Sequence, residues 1–259
     1  MATDRGNLFA EERKIQIVEL VNNRKKATVQ ELCDHFRVSS ATIRNDLRDL
    51  ERQNQLIRTH GGAMIKSQTG HEVRIDKRDV QRPQEKQRIA RAAVKLIEDG
   101  DSIVVDTGTT TYELAVLLNQ RRNLTVVTND LKIALLLEQY DEVTVLLMGG
   151  ILRRHFHSTV GDAGKRMLAE LSVDKAFMGA NSVSAAEGAS TPDINTAETK
   201  RAMIGIASQV VLLCDSDKIN RRSFAKFAEP EQIDTLVTDA IDDESARQFE
   251  QNDVEIVRA

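Results

Sequence analysis

Apolar residues recur at helical spacing in the first quarter of the chain and in short strand-like runs beyond it. From Glu11 to Asn22, Ile15, Val18 and Val21 fall three residues apart, with Leu20 near the edge of their stripe, which predicts an amphipathic helix. Asn23-Arg-Lys-Lys breaks the pattern. Thr28 followed by Glu31 is a capping box that opens a second helix to Phe36, with Val29, Leu32, Cys33 and Phe36 inward. Arg37-Val38-Ser39 makes a short turn. Ser39 caps a third helix to about Gln53, on which Ile43, Leu47 and Leu50 share one face. Leu56 to His60 reads as a strand, Gly61-Gly62 as a tight turn and Ala63-Met64-Ile65 as the return, so a wing follows a helix-turn-helix.

Residues 67–82 are polar and charged without a strong period and read as a linker. Pro83 to Glu98 predicts a helix with Ile89, Ala93, Leu96 and Ile97 inward. Short apolar strands then alternate with helices. The strands are Ser102–Asp106, Leu124–Thr128, Val143–Met148, Lys175–Gly179, Val210–Asp215, Thr235–Thr238 and Val254–Val257, and the helices lie near 110–120, 131–139, 162–171, 197–208 and 243–251. That alternation predicts a mostly parallel sheet covered on both faces. The expected organisation is a small winged helix-turn-helix over 1–66, a linker over 67–82 and a larger α/β domain over 83–259.

Charge sharpens this division. The formal net charge of -4 hides 12 Lys and Arg against 9 Asp and Glu in residues 1–66, and 24 against 31 in the remainder. A basic module on an acidic partner suits binding to DNA. Aromatic residues make up only 3% and Trp is absent, which disfavours stacking platforms for single-stranded bases. Cys33 and Cys214 are far apart and fit neither a disulfide framework nor a metal-ligand spacing. With no signal-peptide pattern near the start and no apolar run of membrane-spanning length, the expectation is a cytoplasmic protein without membrane association.

On the third helix, the face opposite Ile43, Leu47 and Leu50 shows Ser40, Thr42, Arg44, Asn45 and Arg48, beside the cap Ser39. Such side chains reach phosphates and base edges from a helix in the major groove, and Arg58, His60 and Gly61 of the wing are further candidates. Spacing alone fits a solvated amphipathic hairpin equally well. The run Val29-Gln-Glu-Leu-Cys-Asp-His-Phe-Arg-Val-Ser-Ser-Ala-Thr-Ile-Arg-Asn-Asp-Leu-Arg-Asp-Leu-Glu51, followed by Arg58-Thr-His-Gly-Gly-Ala63, resembles the DNA-binding signature of the DeoR-type bacterial sugar-metabolism repressors. The resemblance continues through Asp106-Thr-Gly-Thr-Thr110, Thr128-Asn129, Gly149-Gly150, Asp174-Lys-Ala-Phe-Met-Gly179, Glu198 with Lys200-Arg201, and Asp215-Ser-Asp-Lys218. It implies operator DNA and a phosphorylated sugar as partners, and an effector domain related in fold to sugar-phosphate isomerases. The chain departs from the family pattern at Ser216-Asp217-Lys218-Ile219 and at Ala180-Asn-Ser-Val-Ser184, so the identity of the sugar does not carry over.

The effector site is expected where strands end. Asp106, Thr107, Gly108, Thr109 and Thr110 lie between a strand and a helix, where glycine lets backbone approach an anion and hydroxyls and helix amides donate to phosphate. An ordinary strand-to-helix turn has the same composition. Lys218, Arg153, Asn129 and Asn181 follow other strand ends, and surface residues are the plain alternative for each. Glu198 reads as opening a helix, where it caps; the resemblance to isomerases adds a hold on sugar hydroxyls. His155 and His157 have same-side strand spacing but no accompanying ligand cluster, so no metal and no cofactor is expected. Two function classes remain beside a ligand-relieved repressor: an isomerase-like enzyme and an activator. A homo-oligomer assembled through residues 83–259 is expected, because symmetric dimers match palindromic half-sites.

Overall fold

The computed structural model describes residues 10–24, 26–52, 55–59, 61–64 and 81–259. His60, Gln53, Ile65 and linker positions 67–80 lie outside the described residues. The chain divides into two compact units, Met1–Gln68 and Thr69–Ala259.

In the first unit, α1 (Ala10–Arg24), α2 (Val29–Phe36) and α3 (Ser40–Arg52) pack with a three-stranded antiparallel sheet of order β1 (Lys26–Thr28), β3 (Gly62–Met64), β2 (Ile57–Thr59). The capping box is formed: Thr28 N donates to Glu31 Oε2 at 2.7 Å and Glu31 N donates to Thr28 Oγ1 at 3.2 Å. Ser39 Oγ accepts from Thr42 N at 3.2 Å and starts α3. Leu32, Ile43, Leu47 and Leu50 are buried together. On α1 the buried stripe is rotated from the expected one. Ile17 and Val21 are inside, whereas Ile15 is 60% exposed. Arg13 lies on the buried side too and donates to Asp46 on α3 at 2.6 Å, so an ion pair decides which face of α1 turns inward. β1 was not legible as a strand. It pairs with β3 so closely that a Cβ on Gly62 would collide with the Ala27 carbonyl, which explains the second glycine of the wing turn.

The second unit is built on a seven-stranded sheet. Its strands are β4 (Ser102–Val105), β5 (Leu124–Thr128), β6 (Val143–Leu147), β9 (Val173–Gly179), β12 (Ala207–Leu213), β14 (Thr235–Thr238) and β15 (Glu255–Arg258). The order is β15-β14-β12-β9-β4-β5-β6 and every pairing is parallel. Both faces are apolar, as a parallel sheet between helices requires. Ile103, Val105, Phe177, Val211 and Leu213 face α4 (Pro83–Ala93) and α5 (Thr109–Val116). Val104, Ala176, Met178 and Leu212 face the opposite layer with Met203 of α8 (Ile194–Ile204) and Phe249 of α9 (Asp243–Glu250). Helices α6 (Leu131–Leu137) and α7 (Asp162–Leu168) complete the described set.

Two small antiparallel sheets lie outside the main one. β7 (Ile151–Arg153) pairs with β8 (Ser158–Val160), and β10 (Ser182–Ser184), β11 (Gly188–Thr191) and β13 (Ala225–Ala228) form a three-stranded sheet. His155 and His157 are not on a strand: they occupy the β7–β8 turn with φ of 71° and 56°. The helix expected to reach Glu98 ends at Ala93 in a 3-10 turn, because Ile97 takes extended backbone with its side chain in the core. The helix expected from 197 begins at Ile194, since Asp193 caps it through Thr196 N at 2.8 Å.

Candidate functional site

Two sites emerge, one in each unit. In the first, α3 presents Ser40, Arg44, Asn45 and Arg48 as exposed residues, with Thr42 half-buried. Arg48 donates to Asn45 Oδ1 at 3.3 Å, which groups two candidate contact residues. Arg58 on β2 and Gly61 in the wing turn are exposed as well. Behind this face, Asp46 is 4% exposed and held by Arg13, and Lys14 pairs with Asp49 at 3.1 Å. The α1–α3 ion pairs thus hold the helix whose opposite side stays free for a polyanion.

In the second unit the strand order reverses direction at β4. Chain order runs outward through β5 and β6 on one side and through β9, β12, β14 and β15 on the other. The carboxyl ends of β4 and β9 therefore flank the topological switch point of the sheet, where open α/β folds bind ligands. An open cavity of about 360 Å³ lies there. Thr107 and Gly108 enter it from the end of β4, Gly179, Ala180 and Asn181 from the end of β9, Thr191 from β11, Thr196 and Lys200 from α8, and Arg153 and Phe156 from the β7–β8 hairpin.

Its floor is a buried ion pair. Lys200 Nζ contacts Asp106 Oδ2 and donates to the Gly179 carbonyl at 2.9 Å, and Gly179 N donates to the same carboxylate at 2.9 Å. Asp106 is 1% exposed and its Oδ1 has no hydrogen-bond partner among the described residues. Gly108 sits at the N-cap of α5 with φ 152° and ψ 166°, backbone that side-chain-bearing residues rarely adopt. Its lack of a side-chain cap leaves the first-turn amides of α5 without an intrahelical acceptor.

The hydroxyl protons around the cavity are already committed. Thr107 donates to Asp130 Oδ2 at 2.6 Å, Thr191 to Asn181 Oδ1 at 3.0 Å and Thr196 to Asp193 Oδ1 at 2.8 Å. Their oxygens are left as acceptors, while Arg153, the Asn181 amide and the α5 amides supply donors. Burial pushes the Asp130 carboxyl above its ordinary range, outweighing the bonds from Thr107, Ile133 and Lys132. Arg153 stacks 4.2 Å over the Phe156 ring, and its Nε lies 3.8 Å from Asp193.

Of the residues singled out from sequence, Thr107, Gly108, Arg153 and Asn181 line the cavity, and Asp106 anchors its floor. Thr109 and Thr110 are buried in the first turn of α5. Asn129 does not line it; its amide donates to Thr159 O at 2.8 Å and ties β8 to the end of β5. Glu198 neither opens α8 nor faces the cavity: it is exposed and pairs with Lys165 at 2.9 Å. Lys218 lies beyond β12, 2.9 Å from Asp215, and does not line the cavity. Burial pushes the Asp215 carboxyl up, but Lys218, Arg82 and Lys86 together bring it below the usual range. Lys200, Thr191, Thr196 and Phe156 were missed. Lys200 had a signal, since it falls on the buried stripe of α8 with Thr196, Ala197, Met203 and Ile204.

A helix-turn-helix with a wing, joined to a parallel α/β unit with a crevice at its switch point, is the architecture of a ligand-responsive transcription regulator. Residues 13–69 match the DeoR-like helix-turn-helix domain and residues 81–240 the DeoR C terminal sensor domain. The chain belongs to the DeoR family of transcriptional regulators. It is 37% identical over 247 residues to the HTH-type transcriptional regulator GlpR of Haloferax volcanii, covering 95% of this chain and 96% of that one. It is 32% identical over 224 residues to the glycerol-3-phosphate regulon repressor of Escherichia coli K12, covering 86% and 88%. A ribose 5-phosphate isomerase A from Methanocaldococcus jannaschii overlays 52% of this chain and 53% of its own, with TM-score 0.39 and 23% identity. Among the described residues no helix is long and apolar enough to cross a membrane, and no cluster of three His, Cys, Asp or Glu is placed to hold a metal ion.

Proposed function

We propose that this chain is a cytoplasmic, homo-oligomeric repressor of a carbohydrate-utilisation operon, released from its operator by a phosphorylated sugar bound at the switch-point cavity. The supporting observation is the division of labour in that cavity. Donors gather at the α5 N-terminus, Arg153 and Asn181, where a phosphate dianion is favoured. Acceptors gather at Thr107, Thr191 and Thr196, where sugar hydroxyls donate. The relatives named for glycerol 3-phosphate support a small phosphorylated polyol or sugar. Operator contact falls to Ser39, Ser40, Thr42, Arg44, Asn45 and Arg48 on α3, and to Arg58, His60 and Gly61 of the wing.

The test is an operator titration of full-length protein with and without glycerol 3-phosphate, ribose 5-phosphate and glucose 6-phosphate. One of them is expected to weaken operator binding, and operator DNA must then weaken that ligand by the same factor. Gly108→Val places a side chain at a backbone conformation it rarely adopts, beside Thr111 Oγ1. That variant is expected to bind operator as wild type does and to lose the response. A response equal to wild type would remove this loop from the sensing site, and tighter operator binding with ligand would reverse the sign of regulation.

A further inference from the structure

Helices α5 and α8 both begin at the switch-point cavity, but their N-termini differ. Gly108 lines the cavity and caps α5 without a side chain. Thr196 lines it from α8, whose N-terminus is closed by Asp193: that carboxylate accepts from Thr196 N and from Thr196 Oγ1, both at 2.8 Å. A ligand anion therefore meets open amides at α5 and a fixed negative charge at α8. Asp193 also faces β7 of the hairpin, where Arg153 Nε lies 3.8 Å from Asp193 Oδ1. The pair thus joins two walls of the cavity. Of the residues that line it, Lys200 and Arg153 carry positive charge, and Lys200 is committed to Asp106 and the Gly179 carbonyl. Arg153 is the cation that a phosphate recruits, and Asp193 attracts the same guanidinium.

Geometry decides whether Asp193 aims Arg153 or competes for it. A separation of 3.8 Å is beyond hydrogen-bond range, and Oδ1 already accepts two bonds from Thr196. The attraction is Coulombic and gives no directional hold. Direction comes instead from Phe156, over whose ring the guanidinium stacks at 4.2 Å. A phosphate at the α5 N-terminus offers several acceptor oxygens to the guanidinium fork and a larger charge. We propose that Asp193 competes with the ligand's phosphate for Arg153 and so limits the affinity of the cavity for phosphorylated sugars. Binding moves the guanidinium from carboxylate to phosphate, and an unphosphorylated sugar leaves it with Asp193. This rests on the sugar-phosphate reading above and names a residue that regulates the same cavity.

Thermal shift titrations of the full chain test it, with glycerol 3-phosphate, ribose 5-phosphate and glucose 6-phosphate set against glycerol, ribose and glucose. Asp193→Asn keeps a capping oxygen for Thr196 N and removes the charge. It is expected to tighten a phosphate ligand roughly 2- to 5-fold, the range of a partly screened ion pair, and to leave the unphosphorylated counterpart unchanged. Asp193→Ser, a second uncharged capping residue, is expected to behave alike. Arg153→Gln is expected to weaken the phosphate ligand, and Asp193→Asn added to it to bind no better than Arg153→Gln alone. Tightening that persists without Arg153 would mean that Asp193 repels the dianion directly, and would overturn the proposal. Unchanged or weaker phosphate binding in both Asp193 variants would overturn it too, while leaving the sensing reading intact. A wild type that binds none of the three phosphates would overturn both.

Discussion

Lys200→Met should be among the more damaging single changes in the sensor unit. The Lys200 side chain is 5% exposed and that of Asp106 1%. Without the ammonium, Asp106 keeps one donor, Gly179 N, and the Gly179 carbonyl loses its bond from Nζ at 2.9 Å. Removing one partner of a buried ion pair costs about 3–5 kcal/mol, because the remaining charge is stranded. The pair floors an open cavity, so water can reach the vacated space, and the lower end, about 3 kcal/mol, is expected. For a unit of this size, each kcal/mol lowers the melting temperature by about 2–4 °C, which gives a drop of roughly 6–12 °C. Differential scanning calorimetry on the sensor transition measures it. Asp106→Asn combined with Lys200→Met removes both charges and keeps an acceptor for Gly179 N. The double variant is expected to recover most of the loss, with a coupling energy of at least about 2 kcal/mol in the cycle. A single-variant loss below about 1 kcal/mol, or strict additivity, would refute the reading of this pair as desolvated and mutually dependent.

Three further expectations concern other groups. Asp130 has a folded-state pKa raised by burial, so its charge costs stability at neutral pH and that cost vanishes below the unfolded value of 3.8. Asp130→Asn, which keeps an oxygen for Lys132 N and Ile133 N, should therefore match or exceed wild-type stability near about pH 8, with the gap closing toward about pH 4; a gap that widens on acidification contradicts this. Arg44→Ala and Arg48→Ala should each weaken operator binding by about 1–3 kcal/mol where the arginine contacts a base, and unchanged gel-shift affinity of both would displace α3 from the recognition role. Burial pushes the Cys214 thiol up to about 12, so in folded protein it should resist thiol reagents and react only on unfolding.

Local chemistry was legible from the chain alone. The Thr28–Glu31 box and the Ser39 cap depend on groups three residues apart, and the apolar runs of the parallel sheet depend on burial on both faces. Thr107, Gly108, Arg153 and Asn181 were readable as residues near the cavity because a parallel sheet collects its crevice at strand ends. Ile15 was misplaced because two stripes on α1 have helical spacing, and the choice between them falls to Arg13 meeting Asp46, 33 residues away. β7, β8, β10, β11 and β13 are three or four residues long and owe their existence to partners rather than to their own pattern. The cavity floor was decided by tertiary structure alone. Asp106 and Lys200 lie 94 residues apart, on a strand end and a helix that only the order of the sheet brings together. The same packing turned Glu198 out to Lys165 and left Lys218 with Asp215. A side chain's type is written in the sequence, but whether its charge meets ligand, solvent or a buried partner depends on long-range packing, which residue spacing does not encode.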